Sequence, residues 1–122
     1  MAGSSAIVTA TLNCLMDFFK VTDSDMPKEL RPQFILDVEV SELCINAGLQ
    51  DRVVQVYEGL VYMDFSQDLM ENQGHGNYEQ ISIEENELPL FFLAYLAIPS
   101  DSGKFHSDVR QRFDEGEFEV KI

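Results

Sequence analysis

The sequence predicts an α+β fold: an N-terminal helix, a small mostly antiparallel sheet, two C-terminal helices and a short edge strand. A mostly α arrangement is the alternative. Three observations carry this expectation. Apolar residues recur at three- and four-residue steps in the first twenty positions, alternate at a period of two from Phe34 onward, and crowd into a proline-bounded run near position 90. With 122 residues, 45% of them hydrophobic and 25% charged, the composition is that of an ordinary globular chain, and residues 1–122 read as a single compact domain.

Taken in order, Ser4 or Ser5 is placed to cap a first helix running to about Lys20, in which Val8, Leu12, Leu15 and Phe19 form one apolar stripe. Ile7, Cys14 and Phe18 widen the stripe, so this helix is expected to pack against something broad. Val21 to Pro27 is turn-like, and Pro27 suits the first turn of a short helix that Pro32 ends. Leu36, Val38 and Val40 alternate with Asp37 and Glu39, the period of a half-buried strand. Arg52 to Tyr57 and Leu60 to Phe65 flank Glu58-Gly59 as in a hairpin. Residues 52–66 also fit one long helix, because Val54, Tyr57, Val61 and Phe65 keep helical steps, and periodicity leaves both readings open.

Gln67 to Asn72 allows one or two helical turns, Gln73 to Asn77 is a glycine-rich loop, and Tyr78 to Ile83 alternates as a strand. Asn86 and Pro89 open a helix over Leu90 to Ala97 that is apolar on every side and stops before Pro99. A last helix, Lys104 to about Glu115, carries Phe105, Val109 and Phe113 as a narrow seam. Gly116 caps it, and Phe118 to Ile122 alternates as the closing edge strand.

Charge narrows the function classes. The chain has 22 acidic and 8 basic residues, a net charge of −14. That excludes the basic stripe of a nucleic-acid binder and argues against docking on anionic lipid. The longest apolar run, Leu88 to Ile98, falls well short of the roughly twenty residues of a membrane span. The N-terminus lacks the pattern of a secretory signal, and Cys14 and Cys44 read as reduced, buried thiols, so the expected compartment is the cytoplasm.

Catalytic patterns are missing. There is no G-x-x-x-x-G-K-[ST] or G-x-G-x-x-G phosphate loop and no G-x-S-x-G elbow. His75, His106, Cys14 and Cys44 are scattered singly, without metal-ligand spacing, and Asp23-Ser24-Asp25 departs from a calcium loop at Pro27. No enzyme is expected, and no catalytic, metal or cofactor site.

The distribution of carboxylates points elsewhere. Between Arg52 and Lys104 lie nine acidic residues and no basic one. Asp64, Asp68, Glu71, Glu79, Glu84, Glu85 and Glu87 are expected to form a partner-binding acidic face, since unpaired charges are too costly to bury. Strand neighbours two residues apart stand about 7 Å from each other, comparable to phosphate spacing along DNA. The resulting expectation is a small non-enzymatic module that inhibits, escorts or regulates a basic partner protein. One form of it occupies a nucleic-acid-binding groove by mimicry, contacting neither nucleic acid nor membrane itself. A structural or assembly subunit, or a dimeric secretion-type chaperone, is the alternative. Phe91, Phe92 and Tyr95 supply the hydrophobic or oligomer contact, a homodimer being the commonest closed solution.

Overall fold

The computed structural model of the chain describes residues 3–83, 88–94, 108–109, 111–113 and 115–116. Over residues 3–81 the elements follow one another as α1 (Gly3–Phe19), α2 (Arg31–Ser41), α3 (Gln50–Tyr57), β1 (Leu60–Asp64), α4 (Gln67–Gln73) and β2 (Asn77–Ile81). A single 3-10 turn, Lys28–Leu30, leads into α2. The α+β class therefore holds, although several elements differ from their expected form.

Helix α1 begins at Gly3, so Ser4 and Ser5 lie inside its first turn and do not cap it. It ends at Lys20, whose φ of 58° is left-handed, with the Val21 amide donating back to the Met16 carbonyl at 2.9 Å. Its buried residues are Ser5, Thr9 and Met16; of the expected apolar stripe Val8 and Leu12 are half-buried on this inner side, whereas Leu15 and Phe19 are exposed. Small side chains at Ser5 and Thr9 let neighbouring helices approach α1 closely, which sets the face it turns inward.

The strand expected at Leu36 to Val40 is instead the second half of α2. Pro32 does not end a helix but starts this one, occupying the first turn, where its missing amide donor is not needed. Pro32, Ile35 and Glu39 are buried at helical steps. The alternation misled because Glu39 reads as solvent-facing until its partner, Arg52, is known. Arg52 and Val53 belong to α3, so the first arm of the expected hairpin is also helical. The turn at Glu58-Gly59 is real, both residues having positive φ (62° and 67°), and β1 follows it as expected.

Strand β1 pairs forward, antiparallel to β2, with Leu60 opposite Ile81 and Asp64 opposite Asn77. Helix α4 lies in the connection and is closed by Gly74 at φ 77°, a conformation that only glycine adopts without strain. Among the described residues the buried apolar side chains are Met16, Ile35 and Val53, with Pro32, all on α1, α2 and α3, which pack on one another.

Two further expectations change. Leu90 to Leu93 are not helical, and Phe91 and Phe92 are 75% and 88% exposed, so no apolar helix is buried there; Tyr95 lies outside the described residues. Cys14 and Cys44 are exposed free thiols, because Cys14 sits on the outer side of α1 and Cys44 in the loop after α2. Residues 108–109 and 111–113 are helical and Gly116 has φ 81°, in keeping with the helix and cap expected there, whereas 118–122 fall outside the described residues.

Candidate functional site

Of the acidic residues singled out from the sequence, Asp64, Asp68, Glu71 and Glu79 lie among the described residues. Asp64, at the end of β1, accepts the Ser66 amide at 2.8 Å and so shapes the entry to α4. Glu71, exposed on α4, accepts from the Gln67 side chain at 2.6 Å, and Asp68 sits in the first turn of that helix, where its charge suits the helix dipole. Glu79 lies on β2 opposite Tyr62. These four lie on β1, α4 and β2, and Glu84, Glu85 and Glu87 lie outside the described residues. His75, in the loop between α4 and β2, holds its Nδ1 2.7 Å from the Gly76 carbonyl. No group of three histidine, cysteine, aspartate or glutamate side chains capable of holding a metal occurs among the described residues.

Two features not foreseen from the sequence organise the helical layer. The first is a buried ion pair. Arg52 Nε donates to Glu39 Oε2 at 2.5 Å, Nη2 also contacts that oxygen, and Nη1 donates to the Gly48 carbonyl at 3.0 Å. The same guanidinium lies 3.7 Å from the Asp51 carboxylate, which is exposed at the start of α3. Arg52 thus ties α2, the loop before α3 and the first turn of α3 to one point. Glu39 Oε1 and Thr9 Oγ1 are buried without a hydrogen-bond partner, so the interior of this layer has polar capacity left over.

The second feature is the start of α1. The run Gly3-Ser4-Ser5-Ala6 forms its first turn, which holds no acidic residue. Gly3 is exposed, Ser4 half-buried and Ser5 fully buried. The first amides of a helix have no intrahelical acceptor, and the dipole of a 17-residue helix places partial positive charge there. A Cβ built on Gly3 meets nothing within 4 Å among the described residues. Chemically, such a terminus accepts an anion, phosphate above all. Only its small-polar composition could have pointed to it, and that composition reads equally well as an ordinary cap.

An open pocket of about 300 Å³ lies apart from both features, lined by Asp25, Met26, Leu30, Phe34 and Asp37 among others.

Comparison with known proteins changes the functional reading. The chain is 52% identical over 117 residues, 96% of its length, to Glucuronokinase 1 of Arabidopsis thaliana. It is 52% identical over 118 residues to Probable glucuronokinase 2 of the same plant. It spans about a third (31%) of the length of each. No family model matches the chain, and no solved structure matches it.

Identity of this extent to kinases overturns the expectation of a non-enzymatic module, and with it the inhibitor and nucleic-acid-mimic readings. The physical reason is that net charge describes a surface and not a reaction. Phosphate can be held by backbone amides, which leave no mark on side-chain charge.

Proposed function

We propose that this chain forms part of a sugar kinase of the glucuronokinase type, which transfers a phosphoryl group to glucuronic acid. The observation that carries the reading is the 52% identity spread over 96% of the chain. Within that enzyme we assign the start of α1 to phosphate binding. Phosphoryl transfer spreads negative charge over the transferred group's oxygens, and catalysis consists largely of positioning and electrostatic stabilisation. The backbone of the Gly3 to Ala6 turn, at the positive end of the helix dipole, suits such oxygens. The absence of a carboxylate in that turn avoids repulsion, and Gly3 leaves room for close approach. The Arg52–Glu39 pair keeps α2 and α3 in register beside α1. No helix among the described residues is long and apolar enough to cross a membrane. We place the protein in the cytoplasm, where two exposed free thiols stay reduced.

The test is a chimera in which this chain replaces the matching segment of Glucuronokinase 1, assayed for ATP-dependent phosphorylation of glucuronic acid. Activity is expected. Gly3→Val, which meets no neighbour in the fold but intrudes on the space before the amides, should lower kcat by about a hundredfold or more with folding intact. A folded chimera without activity would refute the kinase reading, and an active Gly3→Val form would remove α1 from it.

A further inference from the structure

Helix α1 is apolar on both of its sides. The side it turns inward carries Ser5, Thr9 and Met16 together with the half-buried Val8 and Leu12. The opposite side, at helical steps, carries Ile7, Thr11, Cys14 and Phe18, with Leu15 exposed on the flank. Ile7 is 70% exposed and Phe18 76%, and the Phe19 ring meets Phe18 edge-on at 4.9 Å while itself exposed. Thr11 donates its hydroxyl to the Ile7 carbonyl at 2.9 Å, which satisfies the polar atom within the helix. Across its 17 residues α1 has one charged side chain, Asp17, itself paired with Lys20 at 3.2 Å. A helix facing water normally shows its charged face there and its apolar face to the core.

We infer that the outer face of α1 is a docking surface, and that its occupant is the remaining body of a glucuronokinase, the two thirds of such a polypeptide with no counterpart in this chain. This rests on the proposed kinase reading. Two observations favour that occupant. The chain matches its relatives along nearly all its own length but covers only 31% of theirs, so each relative contains a further body that has no counterpart here. A second copy is disfavoured, because each copy carries a net charge of −14 and pairing through α1 would bring two such charges together. Docking there fixes α1 from outside, which suits a helix whose N-terminus is to hold a phosphate rigidly.

Cys14 reports on this face directly. With Cys44→Ser in place, alkylation at Cys14 is followed by peptide mass mapping in the 122-residue chain alone and in the Glucuronokinase 1 chimera. Reaction at Cys14 should be about tenfold slower or more in the chimera, because labelling must then await local opening. Equal rates would overturn the inference. So would protection in the isolated chain that vanishes on dilution, since the occupant would then be a second copy. A second measurement uses the isolated chain only: Leu15→Ser with Phe18→Ser should leave the melting temperature unchanged and reduce binding of an apolar dye. A fall in melting temperature would mean that the face is already filled from within, which also overturns the inference. The two proposals fail separately. An active chimera with unprotected Cys14 refutes docking alone, and an inactive one with protected Cys14 refutes the kinase reading alone.

Discussion

In the helical layer, Ile35, Val53 and the Glu39–Arg52 pair join segments that lie well apart in the sequence. The β1–α4–β2 unit, by contrast, is closed by neighbours: Phe65 lies 5.7 Å from Tyr78, and the Gly76 amide donates to the Tyr78 hydroxyl at 2.9 Å. Tyr57, at the end of α3, bridges the two regions, with its ring 5.6 Å from Tyr78 and Lys28 seated 4.6 Å above it. The layer that carries the proposed phosphate site thus depends on a few long-range contacts, each holding a large share of the structure. The hairpin spreads its stability over short-range contacts of ordinary strength. A local fold forms with little loop-closure cost, whereas the helical layer is secured only once Arg52 has reached Glu39.

The largest expected effect follows from that asymmetry. Arg52→Ala leaves the Glu39 carboxylate fully buried with no cation beside it and also strips a donor from the Gly48 carbonyl. Removing one partner of a buried pair costs about 3–5 kcal/mol, a large part of the stability of a domain this size. Urea unfolding should show the midpoint falling accordingly. The double change Glu39→Leu with Arg52→Met should recover much of the loss by replacing charge with apolar volume. If Arg52→Ala unfolds at the midpoint of the unaltered chain, the helical layer does not depend on this pair.

The same contrast decides what could be read from the sequence. Features set by near neighbours were legible: the extent of α1, the turn at Glu58-Gly59, strand β1, α4 with its glycine stop, and β2. Features set by distant partners were not. Glu39 alternates with valines as a strand residue would, and only Arg52, thirteen positions on, makes a helical burial of that carboxylate affordable. The apolar stripe of α1 turns inward at Val8 and Leu12 and is exposed at Leu15 and Phe19, because periodicity identifies a face without saying how far its cover extends. The start of α1 carried the least signal of all. Its proposed chemistry lies in backbone amides, which every helix start possesses, whereas the acidic residues that drew attention are conspicuous in composition.

A middle-sized effect is expected at Gly76. This residue is buried where the hairpin closes, and a Cβ there would run into the Asp64 carbonyl oxygen on the facing strand and into the Tyr78 ring. The carbonyl is backbone and cannot turn aside without opening the Asp64–Asn77 end of the ladder. Gly76→Ala should therefore cost about 1–3 kcal/mol, as overpacking does. Amide exchange would locate the damage: protection should fall in β1 and β2 and persist in α1 to α3. Equal loss in both regions would mean that the hairpin and the helices unfold as one unit, and the contrast drawn between them would not stand.

The smallest effect concerns the tyrosines that join the two regions. Burial, then the nearby Glu29 and Tyr78, raise the Tyr57 phenol above its ordinary pKa, against a smaller opposing pull from Arg31. Burial raises Tyr78 as well, partly offset by the Gly76 amide. Below the ordinary value of about 10 both phenols are protonated, folded or unfolded, and contribute no pH dependence. Above it the unfolded chain loses these protons first, so it binds fewer than the native state and stability declines as pH rises. Tyr57→Phe keeps the ring against Tyr78 and under Lys28 but has no proton to lose. Urea midpoints compared between neutral and strongly alkaline pH should fall less steeply for this variant than for the unaltered chain. The difference is modest, since both rings remain largely within reach of water. An identical alkaline slope would mean that Tyr57 senses the same surroundings folded and unfolded, and that the bridge between helices and hairpin is not closed at that ring.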